Sequence, residues 1–127
     1  MYVVDSSVWV LAAARRVDIE VLAGSTMISV CPAVVEEFLR GSQSLSRYRL
    51  AQRMFRRLTM LDAPTPLERF EEAARLYMIC RDAGVTPRKG YDCLIAATAL
   101  AHGAAVLHRD SDFDEIARVL PLKAKRV

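Results

Sequence analysis

The chain has 127 residues, 53% of them apolar and 26% charged, and a net charge of +3. That size suits one domain, residues 1–127, with a core of its own, and the composition excludes a disordered or fibrous chain. The longest apolar runs, Val8–Ala14 and Cys93–Ala101, fall well short of the ~18 residues a membrane span needs.

The N-terminus has no basic segment and meets Asp5 at once, which argues against a signal peptide. Cys31, Cys80 and Cys93 are odd in number, sit in apolar surroundings and form no CxxC. Reduced core cysteines in a cytoplasmic protein are therefore expected, rather than a disulfide or a zinc site.

In chain order, Met1–Val4 reads as a short buried strand ending at Asp5, with a helix starting at Ser6 or Ser7 and its body over Val8–Arg15. Trp9 on that helix is expected to pack in the core. Val17–Gly24 is a short helical or irregular piece, and Thr26–Val30 a second strand. Pro32 opens a helix that Gly41 stops; on it Glu36 and Glu37 point about 100° apart, so only one faces a given pocket. Ser44 to Leu58 reads as a basic amphipathic helix, with Arg49, Arg53 and Arg56 or Arg57 at helical spacing on one face.

Leu58–Leu61 is a candidate strand, and Ala63-Pro64-Thr65-Pro66 a break. From Pro66 to Ala83 the apolar Leu67, Phe70, Ala74 and Tyr77 recur at helical spacing, and Gly84 closes that helix. A loop carrying Arg88 and Lys89 leads into Tyr91–Gly103, apolar almost all round except for Asp92 and thus a buried helix. His102 is expected at the surface. Ala104–His108 reads as a strand, Arg109–Asp112 as a loop, Phe113–Val119 as a helix, and Pro121–Val127 as a strand or basic tail. Strands alternating with helices define an α/β fold with a mostly parallel sheet covered on both faces.

Open α/β sheets bind ligands beyond the carboxyl ends of their strands, where Asp5 and Asp110 fall. Asp92 begins a helix too apolar to tolerate an idle charge, and Glu37 comes from the helix after the second strand. Four converging carboxylates repel one another and require a cation. With oxygen donors and no His/Cys set, that cation is Mg²⁺ or Mn²⁺, ions that activate water and neutralise charge on a phosphoryl group. Gathering the acids also leaves the remaining surface more basic, as a polyanionic partner requires.

Val3-Val4-Asp5-Ser6-Ser7-Val8-Trp9, Glu37-Phe38-Leu39-Arg40-Gly41, Tyr91-Asp92-Cys93-Leu94-Ile95-Ala96-Ala97 and Arg109-Asp110-Ser111-Asp112-Phe113 resemble, in order, the four acidic motifs of PIN-domain ribonucleases. The pattern is most similar to that of VapC toxins from bacterial and archaeal toxin–antitoxin pairs. The resemblance implies a three-layer α/β/α fold, a dimer, Mg²⁺-dependent endoribonuclease activity on structured RNA, and a VapB-like antitoxin as partner. It places Asp5, Glu37, Asp92 and Asp110 at the four acidic positions, as catalytic and metal-binding residues. Glu37 is preferred to Glu36 because the family's glutamate usually precedes its glycine by four. Asp112 matches a frequent extra acid and is a candidate metal contact.

One position departs from the pattern. Where relatives often have Thr or Ser two residues before the fourth acid, this chain has His108, and Ser6 or Ser7 are candidates for the missing hydroxyl. Arg49, Arg53, Arg56, Arg88 and Lys89 are candidate RNA contacts. Three other roles stay open: a PIN nuclease of RNA maturation or decay, a phosphatase or phosphotransferase with a nucleophilic aspartate, and a non-catalytic RNA- or protein-binding module. Against the second, Ser7 stands where an aspartate is required two residues after Asp5.

Overall fold

A computed structural model of the protein describes residues 1–127. Five short strands build the sheet: β1 (Tyr2–Val4), β2 (Ile28–Val30), β3 (Thr59–Met60), β4 (Ala105–His108) and β5 (Ala124–Arg126). Their order is β3-β2-β1-β4-β5, and every neighbouring pair is parallel. Parallel strands need crossovers, which seven helices supply: α1 (Ser6–Ala13), α2 (Ile19–Ala23), α3 (Pro32–Arg40), α4 (Leu45–Phe55), α5 (Leu67–Asp82), α6 (Asp92–Ala101) and α7 (Ser111–Val119). The result is the expected α/β/α fold with a central parallel sheet.

The three inner strands are buried on both faces, with Val3, Val4, Val30, Val106 and Leu107 fully enclosed, while the edge strands β3 and β5 are partly exposed. Helix α6 is the most buried, with every residue from Asp92 to Ala99 inside. Its one interior hydroxyl, on Thr98, donates to the Leu94 carbonyl at 3.0 Å and so costs little. Trp9 packs in the core as expected: its indole N–H donates to the Val4 carbonyl at 3.1 Å. Its ring meets Phe55 edge-on with centroids 5.3 Å apart, and Phe55 meets Phe38 the same way at 5.4 Å. This aromatic chain ties α1 to α3 and α4. All three cysteines are buried and unbonded.

The structure moves several expected boundaries. Helix α1 begins at Ser6 because the Asp5 side chain accepts from the Ser7 N–H, and it stops at Ala13, before Arg15 turns to φ 55°. Helix α7 begins at Ser111, inside the expected loop, because Asp110 caps it. The C-terminal segment is a strand, since Ala124, Lys125 and Arg126 pair in register with Val106, Leu107 and His108. Helix α5 forms as expected, but its apolar stripe does not face the core. Leu67 is 71% exposed and Phe70 49%, while Leu76 and Cys80 turn inward. His102 lies at the surface as expected, and there its Nε2 is 2.8 Å from the carboxylate of Asp62, which also accepts from Arg69 Nε at 2.6 Å. The two bonds tie the end of β3 to α5 and α6.

Replacing Phe55 by Ala removes the middle ring of the Trp9–Phe55–Phe38 chain. Such truncations of buried aromatics cost about 3–5 kcal/mol, so urea denaturation of Phe55→Ala is expected to show a midpoint lowered accordingly.

Candidate active site

The connection from β1 runs to β2 on one side while β4 pairs on the other, so the sheet changes direction between β1 and β4. In open parallel sheets this switch point opens a crevice at the carboxyl ends of the two strands. Asp5 follows β1 directly, and its N–H donates to the Leu107 carbonyl of β4 at 2.9 Å. Asp110 lies two residues beyond β4. Both acids cap helices, where the N-terminal dipole favours a negative charge.

Asp92 enters the crevice from the first turn of α6, with 1% of its surface exposed. Oxygens of Asp92, Asp110 and Asp112 lie within 4.8 Å of one another. Asp5 is buried beside this trio, close enough for its charge to raise the Asp92 pKa. Glu37 stands at the margin, half-buried on α3, and its Oε2 accepts from Ser6 Oγ at 2.7 Å. Glu36 is exposed and pairs instead with Arg40, so of the two adjacent glutamates Glu37 faces the site.

Hydroxyls and backbone amides fix the acids. Ser7 gives Asp5 Oδ2 both its N–H, at 3.0 Å, and its hydroxyl, and the same hydroxyl accepts from the Arg109 N–H at 3.0 Å. Ser7 therefore joins the ends of β1 and β4. Asp110 Oδ1 accepts from the Asp112 N–H at 3.0 Å. His108 is fully buried; its Nδ1 lies 2.8 Å from the Asp110 carbonyl, which only a donor on Nδ1 satisfies. Its ring thus orients the backbone of the fourth acid. Burial holds its pKa below the ordinary value, and its Nε2 has no hydrogen-bond partner.

Arg88 and Lys89, expected on an RNA backbone, are turned toward the acids. Lys89 Nζ donates to Asp110 Oδ2 at 2.7 Å, and Arg88 reaches Asp112 at 3.2 Å through Nε and Asp110 at 3.4 Å through its terminal nitrogen. The Arg88 backbone N–H also donates to Asp112 Oδ2 at 3.0 Å. Local sequence gives no sign of this, since the partners lie more than twenty residues further along. By contrast Arg49, Arg53 and Arg56 are exposed on and just beyond α4, which packs against α3.

These contacts set the titration of the site. Burial raises the Asp92 pKa from 3.8 to about 8, with the charges of Asp5, Asp110 and Asp112 adding to the shift and Lys89 opposing it. Burial also raises Glu37, helped by Asp5 and opposed by the Ser6 hydroxyl. Burial pushes Asp110 up too, but the Asp112 N–H and Lys89 together outweigh it and hold Asp110 below the usual carboxylate range.

Asp92 Oδ2 is buried and has no hydrogen-bond partner. An orphaned carboxylate oxygen among other carboxylates is costly in a finished site and is what a cation would satisfy. The donors are all oxygen, the set that hard divalent ions take. Their spread is close to the ~4.2 Å between opposite ligands at ~2.1 Å from an octahedral ion. The residues fit a divalent metal.

The PIN domain family model matches residues 2–119. VapC ribonuclease Mb1587 of Mycobacterium bovis and ribonuclease VapC11 of Mycobacterium tuberculosis are each 34% identical to this chain, over 98% of it and 97% of their own lengths. Among solved structures, the chain is similar to one in VapBC2 from Rickettsia felis bound to a DNA fragment from their promoter. There the TM-score is 0.79 at 21% identity, covering 99% of this chain and 98% of the other. It is also similar to one in VapBC-5 from Mycobacterium tuberculosis, at TM-score 0.71 and 17% identity over 98% and 97% of the two chains. The chain belongs to the PIN-domain family. The relatives it matches over nearly their full length include VapC ribonucleases.

The raised Asp92 pKa has a consequence for stability. Between 3.8 and about 8 the folded, metal-free chain keeps a proton on Asp92 that the unfolded chain has lost. Stability of the metal-free protein therefore falls as pH rises through that window. Asp92→Asn is expected to flatten this decline and to melt above the wild type at the alkaline end, as calorimetry across the range would show.

Proposed function

We propose that this single domain is a metal-dependent endoribonuclease of the VapC kind, using Mg²⁺ or Mn²⁺, with RNA as substrate and a VapB-like antitoxin as its protein partner. The observation that carries the proposal is the buried Asp92 carboxylate, left without a partner among Asp5, Asp110 and Asp112 at the switch point of a PIN fold. Full-length similarity to VapC ribonucleases supports the substrate class, and similarity to VapBC structures supports the partner.

Asp5, Asp92 and Asp110, with Asp112 beside them, would hold the ion. When bound, a divalent cation lowers the pKa of water and neutralises charge developing on a phosphoryl group. Glu37 orients the attacking water and takes its proton; its raised pKa makes it a stronger base than an ordinary carboxylate. The Ser6 hydroxyl fixes the Glu37 side chain for that task. The water oxygen bonds to phosphorus as the P–O3′ bond breaks in line with it, and the departing 3′-oxygen takes a proton from solvent, leaving a 5′-phosphate and a 3′-hydroxyl. Arg49, Arg53 and Arg56 hold the RNA backbone along α4, and Arg88 and Lys89 hold the phosphate next to the acids. Binding through such phosphate contacts weakens steeply with salt.

The exposed stripe of α5 supports a homodimer. Phe70, Tyr77 and Met78 border a groove of about 430 Å³ whose other wall includes Tyr91 and Leu94. Apolar surface of this kind on a soluble domain marks an association site.

Purified protein with Mg²⁺ or Mn²⁺ is expected to cut RNA to 5′-phosphate ends, and Asp5→Asn or Asp92→Asn to slow cleavage by about a hundredfold or more. Equal cleavage by either variant would show the site assignment to be wrong. Phe70→Glu is expected to shift the protein from dimer to monomer in sedimentation velocity runs.

A further inference from the structure

The loop between α5 and α6 is pinned at two points on the acid cluster. The Arg88 N–H donates to Asp112 Oδ2 at 3.0 Å, and the Lys89 carbonyl accepts from the Asp92 N–H at 3.4 Å. Between these anchors, the Lys89 ammonium is delivered to Asp110 Oδ2 at 2.7 Å. Its charge is also felt at Asp92 and at Glu37. Lys89 is thus the one lysine whose field spans both the buried trio and the glutamate across the crevice. Yet about half of its side chain is exposed, at 48%, so the ammonium regains full hydration by a short movement away from Asp110.

Asp110 is one of the three carboxylates grouped within 4.8 Å, and because its Oδ1 already accepts the Asp112 N–H, Oδ2 is the oxygen left to offer a divalent ion. An ammonium and a dication cannot share it closely without strong repulsion. We infer that Lys89 is a displaceable internal counter-ion: its ammonium holds Asp110 while the cluster is empty and must withdraw when a divalent metal binds. The inference rests on the acid cluster being a metal centre. Lys89 then stabilises the empty site and weakens metal affinity, and once displaced it is free for an incoming phosphate. Arg88 does not follow it out, because its backbone bond to Asp112 persists whatever its side chain does.

The test is calorimetric titration of Mn²⁺ into the metal-stripped full-length protein, without RNA. It compares wild type, Lys89→Met, Lys89→Gln and Asp110→Asn, with Lys123→Met as a control that removes the same charge elsewhere. Lys89→Met and Lys89→Gln are expected to bind Mn²⁺ about threefold to fivefold tighter than wild type. Both should melt lower than wild type without metal, and Lys123→Met should change neither quantity. Equal or weaker Mn²⁺ binding by both Lys89 variants, with binding lost in Asp110→Asn, would overturn the counter-ion role and leave the metal centre standing. Absence of Mn²⁺ binding in wild type would overturn both.

Discussion

Mutual repulsion among carboxylates crowded into one buried crevice is the constraint on which this structure turns. Asp5, Asp92, Asp110 and Asp112 are each at most 9% exposed. Such a group in a low-dielectric pocket is tolerable only with compensating cations, donors or protons. The chain supplies all three. Lys89 and Arg88 reach in from a loop, Ser7 and the Asp112 amide donate hydrogen bonds, and Asp92 keeps its proton to unusually high pH. Asp92 Oδ2 is nonetheless left without a partner, a residual deficit that a bound cation would relieve.

The fold meets this constraint with elements it needs in any case. A parallel sheet whose order reverses between β1 and β4 must open a crevice at that point, and two helices must start beside it. Asp5 and Asp110 cap those helices, so their charges are partly met by the backbone before any side chain arrives. Asp92 is different. It is carried into the interior by α6, the most buried helix, whose packing leaves Asp92 with 1% of its surface exposed. Packing and charge are opposed at this residue: the burial that completes the core is what raises its pKa.

Much of this was legible in the sequence, and the reasons are local. Val3-Val4 before Asp5 and Val106-Leu107 before Asp110 are apolar runs ended by an acid, and α6 is apolar enough to announce its burial. What periodicity does not carry is the identity of a partner. The stripe of Leu67, Phe70 and Tyr77 marks a helix correctly, but an apolar face can await the core or another molecule, and here it lies at the surface. Arg88 and Lys89 look like surface cations, yet their partners, Asp110 and Asp112, come from a different element. His102 likewise finds Asp62 forty residues away in sequence. His108, read as a lost hydroxyl, is a buried ring bracing the Asp110 carbonyl, while Ser6 and Ser7 place their hydroxyls on Glu37 and Asp5.

The most direct measurement is anomalous diffraction from crystals grown with Mn²⁺. A manganese peak in contact with Asp92 and Asp110 is expected, with Lys89 Nζ displaced from Asp110. A peak elsewhere, or none at this crevice while Lys89 keeps its bond to Asp110, would contradict that expectation.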